Sequence, residues 1–373
     1  MEIDKLLKEK YKSKKLKRLY FISFLKFFAM LAIIKWHISI WKEKPIDYGA
    51  RMCELLFISS GFLVGYNYYK DPMEASYKIS FNYSYKHLKT FYPLYLINTI
   101  IDIYIHRHIS INLLTFFEIL IINILLVQSW SRYKEFVPCF NGHTWFLSVL
   151  IFCYFLSPLL LKGIKNIKRA IILFLIISSI RTISEELIIN GAINLFDADF
   201  HYGPFIRLLE FYMGMLTVPL YFLIKSYIET FQNNQIYFNV FFSLVQILLL
   251  IIIYIIMFKY NYILARCYFT LIFSIFIILF GLDYGYFSNI LKYKIFQLIM
   301  NCQIEMYLLQ LNANHYINKL LLKNHSSKRI NIELEFTFKL IIIFIIAFLY
   351  KKLLKEKLTN ILDKIVFSIV NKI

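Results

Sequence analysis

Two side chains in the stretch FLKFFAMLAIIKWHIS, residues 24–39, are out of keeping with their neighbours: Lys26 and His37. They are eleven residues apart, which at about 100° per residue is three helical turns plus roughly 20°. One helix face therefore carries a cation and an imidazole, separated by roughly 16 Å along the axis. Imidazole titrates near neutral pH and acts as general base or nucleophile. The same spacing also suits a lysine snorkelling to one membrane interface with a histidine near the other. Lys35 lies about 200° round the helix from His37 and reads as interfacial or cavity-facing.

Other polar groups stand in apolar surroundings. Glu210 sits within FIRLLEFYMGMLTVPLYFL. A carboxylate there is costly to bury and is functional by default. It orients His37 or binds a basic group, or else it pairs structurally with Arg207. Glu305 in NCQIEMYLL is a weaker case, nearer the start of its apolar run. Lys86 and Lys89 are three apart and share a helix face, which suits a phosphate cluster or positive-inside anchoring; His87 falls off that face. Trp145 and Tyr154 either line a sugar or acyl pocket or act as interfacial aromatics. His143 in NGHTW reads as a loop histidine more readily than as a substrate contact.

No metal site is expected. His106 and His108 flank Arg107 in IHRHIS, but histidines two apart share no ligand face, and no carboxylate completes a set. Cys53, Cys139, Cys153, Cys267 and Cys302 are scattered without a C-x-x-C pair, so neither a disulfide framework nor a zinc site is expected.

The elements that must hold these groups are membrane helices. The chain of 373 residues is 59% hydrophobic and only 17% charged, with a mean hydropathy of +0.60; soluble domains carry about one quarter charged residues. Apolar runs near the roughly 20 residues needed to cross a bilayer recur from YFISFLKFFAMLAIIKWHISIW to FKLIIIFIIAFLY. The fold class is all-α: a polytopic integral membrane bundle of about ten spanning helices plus a re-entrant or in-plane segment at 113–130. That segment reconciles an odd number of apolar runs with two basic ends on one side. Residues 1–18 do not resemble a cleaved signal peptide.

The net charge of +19 does not indicate nucleic acid. Much of it lies at the ends, from Lys5 to Arg18 and at Lys351, Lys352, Lys355 and Lys357. Basic clusters beside spans mark the cytoplasmic side and attract anionic lipid. Both termini are placed in the cytoplasm of a multi-pass cell-membrane protein.

A basic residue, ten residues, then histidine in the first helix resembles the membrane-bound acyltransferase-3 family of surface-sugar acyltransferases. Further pieces resemble it in order: ELLFISSGFLVG with Ser60, Gly61 and Phe62, then YKHLKTFYPLY with Lys86, Lys89 and Pro93. TWFLSVLIFCYFLSPLL follows with Trp145, Leu147, Tyr154 and Pro158, then RLLEFYMGML with Glu210 and Gly214, and NCQIEMYLLQ with Tyr307 and Leu308. The chain departs from the family pattern at Ser23, Lys26, Lys89, Val149 and Gln310, where an acidic residue, Arg, Arg, Glu and His are common.

The resemblance implies an acyltransferase domain over 20–354, between a basic cytoplasmic segment at 1–19 and a basic tail at 355–373. It implies O-acyl transfer from a cytoplasmic acyl-CoA, acetyl-CoA first, to a hydroxyl of a capsule, exopolysaccharide or similar surface glycan, or its lipid-linked precursor. No tightly bound cofactor is expected; acetyl-CoA is a substrate. On this reading His37 is the base or covalent nucleophile and Glu210 assists it. Lys26, Lys86 and Lys89 hold the donor, while Ser60, Trp145 and Tyr154 contact substrate. The rivals are a glycan transporter or flippase and a glycan polymerase. A transporter favours broken helices and internal repeats, and a polymerase a large external loop; neither is visible.

Overall fold

A computed structural model describes residues 18–39, 48–69, 71–105, 112–130, 140–189, 202–230, 235–259, 263–324 and 332–370. Among them no strand occurs. The helices run α1 Tyr20–Ser39, α2 Tyr48–Tyr68, α3 Tyr77–Leu88, α4 Tyr92–Ile105, α5 Leu113–Ile124, α6 Trp145–Leu160, α7 Ile167–Ile189 and α8 Pro204–Leu216. They continue with α9 Val218–Ile228, α10 Gln235–Lys259, α11 Ile263–Gly281, α12 Tyr286–Ile290, α13 Lys294–Met300, α14 Gln303–Asn324, α15 Ile332–Leu353 and α16 Lys355–Val370.

Among the described residues, four helical stretches are long and apolar enough to cross a bilayer: Tyr20–Ile38, Gly142–Lys165, Pro204–Ile228 and Ile236–Ile255. That is fewer than the ten expected. The physical reason is plain in α2, α7, α14 and α15, which carry charged or amide side chains into their apolar runs and bury them against one another. α5 has 12 residues, short of a span.

Local signals set the boundaries that matter for the site. Ser76 caps α3 by accepting from the Ile79 amide at 3.3 Å, the usual work of an N-cap serine. α3 ends at Leu88, and Lys89 to Phe91 turn the chain into α4. Pro204 opens α8 at its first turn, where a missing N–H costs nothing.

α2 and α8 approach backbone to backbone. A Cβ built on Gly61 would lie 1.8 Å from the Phe211 carbonyl oxygen, and one on Gly214 would lie 1.9 Å from that of Ile58. Small residues at helix crossings permit such contact in membranes.

Beside this crossing lies a buried charge cluster shared by α2, α7 and α8. Arg51 donates to Glu54 and, at 2.9 Å, to Glu185. Arg181 donates to Glu185, to Glu54 at 3.1 Å and to Glu210 at 3.0 Å. Arg207 holds both Glu210 oxygens, at 2.9 and 2.8 Å. Three guanidinium groups thus balance three carboxylates inside the bundle. Removing one cation leaves a buried anion uncompensated, which costs roughly 3–5 kcal/mol. Arg181→Met is therefore expected to lower sharply the yield of monodisperse protein in mild detergent, measured against the wild type by size-exclusion chromatography.

Candidate active site

α1, α2, α3, α6 and α14 line a half-open cavity of about 160 Å³. Its polar lining includes Lys26, Ser60, His87, Tyr154, Gln303 and Tyr307, set among apolar groups such as Met30, Leu56 and Phe146. Lys26, Ser60 and Tyr154, three residues singled out by sequence, therefore meet in one place. Lys26 makes no ion pair among the described residues, so its ammonium is available to an anionic ligand.

His87 is the residue that sequence reasoning set aside. Its ring stacks on Tyr154 with centroids 4.1 Å apart and meets Tyr83 edge-on at 4.8 Å. Burial first, and then the charges of Lys26 and Lys86, push its pKa down to about 4. His87 is thus neutral at physiological pH and offers the cavity one N–H and one lone pair.

His37 lies three turns further along α1 and does not line this cavity. Its Nδ1 is 3.1 Å from Oε1 of the buried Gln310 on α14. An amide oxygen only accepts, so the contact puts the hydrogen on Nδ1 and the lone pair on Nε2. This is the arrangement a general base or nucleophile needs. Between His37 and the cavity stand two more rings. His143 is 6.2 Å from His37 by centroids, and Tyr307, itself a cavity wall, is 4.9 Å from His143. The Tyr307 hydroxyl donates to the His143 carbonyl.

Residues 19–352 match a family described as an acyltransferase domain. The chain belongs to the acyltransferase-3 family. It is accordingly a membrane acyltransferase. No curated protein and no solved structure matches it.

In this acyltransferase-3 chain Glu210 pairs with basic groups, one of the alternatives the sequence leaves open, and not with His37. Glu210 is fully buried in the α2–α7–α8 cluster, gripped by Arg207 and Arg181, and the partner of His37 is Gln310. Lys86 is exposed, whereas the Lys89 side chain reaches α16, where its Nζ is 2.9 Å from Asp363 Oδ2. The Tyr85 hydroxyl donates to the other Asp363 oxygen at 2.7 Å. Hydrogen bonds from Lys89 and Tyr85 hold the Asp363 carboxyl below its ordinary range. α16 lies beyond the matched residues, so this contact ties the family domain to its own tail.

Trp145 is buried with the Arg207 guanidinium 5.6 Å above its ring and Tyr202 against its edge. It belongs to the wall between the charge cluster and the histidines. Glu305 accepts from Lys355 at 2.6 Å, joining α14 to the start of α16. Cys53, Cys153 and Cys302 are buried free thiols. His106 to His108 and Cys139 lie outside the described residues, as does the side chain of Cys267. Among the described residues no group of three or more His, Cys, Asp or Glu side chains is arranged to hold a metal ion.

Proposed function

We propose that this membrane acyltransferase moves an acyl group, acetyl from acetyl-CoA, to a hydroxyl of a cell-surface polysaccharide or its lipid-linked precursor. The observation that carries the reading is the division of α1. Lys26, without an ion-pair partner among the described residues, faces a cavity at one level, and an oriented imidazole, His37, stands three turns away. In the proposed topology of about ten spans with both termini cytoplasmic, Lys26 lies toward the donor side and His37 toward the acceptor side.

CoA carries phosphates, and an ammonium facing a largely apolar cavity suits the donor's phosphate or pantetheine end. Lys86 at the exposed end of α3 adds positive charge at the entrance, and Lys89, beside it and bonded to Asp363, would have to exchange that carboxylate for the donor's phosphate. Ser60, Tyr154 and His87 supply hydrogen bonds along the acyl-bearing arm. Trp145 lies near the histidines, toward the glycan. At His37, Nε2 takes the proton of the acceptor hydroxyl as its oxygen attacks the thioester carbonyl. The C–S bond then breaks, and the CoA thiolate leaves with that proton. An acyl-imidazole formed on Nε2 would use the same lone pair.

The test uses the full chain, purified and placed in lipid nanodiscs, with acetyl-CoA and de-O-acetylated surface glycan. Release of CoA together with acetyl on the glycan is expected, and a protein that neither binds nor turns over acetyl-CoA overturns the reading. Lys26→Ala should raise the KM for acetyl-CoA about tenfold or more, since a charge-assisted hydrogen bond contributes roughly 1.5–3 kcal/mol. Lys26→Arg should keep most of the donor affinity.

A further inference from the structure

The sequence around His143 reads as a loop, yet the residue is only 4% exposed. The turn that carries it is built to put it there. Asn141 adopts the left-handed conformation with φ 55°, and its amide N–H donates to Asp102 Oδ2 of α4 at 2.7 Å. The Thr144 amide and hydroxyl both close back on the Asn141 carbonyl, at 2.8 and 2.7 Å. Gln128 donates to the Thr144 hydroxyl at 3.3 Å, and the Tyr307 hydroxyl takes the His143 carbonyl. Groups from α4, α14 and the 128–130 turn thus fix a short segment whose ring faces His37. A loop held this firmly by the scaffold is the ordinary support of a functional side chain.

The ring itself is not tied down in the same way. Neither Nδ1 nor Nε2 of His143 makes a hydrogen bond of normal geometry among the described residues, although backbone groups of Tyr307 and Leu308 act on the ring. Gln310 Nε2, beside His37, is likewise unpaired. Buried polar groups are rarely left so, and these gather where the acyl group must pass between the cavity and His37. The two imidazoles are 6.2 Å apart and not bonded to each other, close enough for both to touch one substrate group between them.

We propose that His143 is a second catalytic imidazole, whose ring N–H donates to the thioester carbonyl oxygen while His37 takes the acceptor's proton. This rests on the acyl-transfer reading above. As the acceptor oxygen bonds to the carbonyl carbon, the carbonyl π pair moves onto oxygen and is held there by the His143 N–H. The hydroxyl proton passes to His37 Nε2. Collapse restores the carbonyl, breaks C–S and releases the thiolate, which takes the proton from His37. A neutral donor aimed at developing charge in a water-poor site lowers the barrier without needing to titrate.

The experiment measures kcat and KM for acetyl-CoA in nanodiscs for the wild type, His143→Leu, His143→Gln and Tyr307→Phe, each matched for monodispersity and melting temperature. His143→Leu should lower kcat roughly 100-fold or more with KM nearly unchanged, as removal of one oxyanion donor does. His143→Gln keeps an N–H and should retain at least about a tenth of the wild-type kcat. Tyr307→Phe, which frees the His143 carbonyl but keeps the ring, should fall between and tests the idea if His143→Leu does not fold. A wild-type kcat in His143→Leu overturns the proposal, and so does a folded His143→Gln as inactive as His143→Leu. Either result alongside an active wild type leaves acyl transfer standing; an inactive wild type defeats that reading instead.

Discussion

Replacing His37 by alanine is expected to abolish measurable acylation of the surface glycan while leaving acetyl-CoA binding in place. A positioned base contributes roughly 10²–10⁴ to a rate, and loss of a covalent nucleophile would cost at least as much. Among the described residues the imidazole is oriented by one hydrogen bond, from Nδ1–H to Gln310 at 3.1 Å. Gln310→Ala should therefore lower the rate less than His37→Ala, because the base survives without its orienting partner. Donor binding should persist in His37→Ala, because the cavity that holds Lys26, Ser60 and Tyr154 does not include His37. The measurement is the acyl content of surface glycan from cells carrying either variant at matched membrane levels, paired with acetyl-CoA binding to the purified proteins. Unchanged acylation in His37→Ala would remove it from the chemistry.

What could be read in advance depended on how far apart the interacting residues lie in sequence. Lys26 and His37 share one helix, so helical geometry alone put them on a common face at two depths. Glu210 was legible as a costly buried carboxylate, but its partners were only half legible. Arg207 is three residues away on the same helix, whereas Arg181, Glu54 and Glu185 come from α2 and α7, and no spacing rule reaches them. Lys89 closes the last turn of α3, its N–H bonded to the Tyr85 carbonyl, but its side chain is engaged by Asp363 of α16, a partner no local spacing predicts. The Asn-Gly pair before His143 correctly signals a turn. That the turn is buried follows from Asp102, Gln128 and Tyr307, which satisfy its backbone and hydroxyl groups from elsewhere in the bundle.

Gly61→Ala and Gly214→Ala should each prevent recovery of folded protein. At both positions the added methyl would meet a backbone carbonyl oxygen, Phe211 or Ile58, at under 2 Å. No side-chain rotation relieves such a contact, so α2 and α8 must separate. Overpacking usually costs roughly 1–3 kcal/mol where side chains can give way, and here only the helix axes can. Separation would also pull Glu54 of α2 from Arg181, and Arg181 from Glu210 of α8, so the ionic cluster amplifies the steric effect. The two substitutions strain the same crossing, so the double variant should cost less than the sum of the singles. Gly203→Ala is the control. A Cβ there meets only Ile206, at 3.9 Å, and melting temperature and monodispersity should match the wild type. If Gly61→Ala or Gly214→Ala melts like Gly203→Ala, the close backbone crossing is not what holds α2 against α8, and the charge cluster must hold them instead.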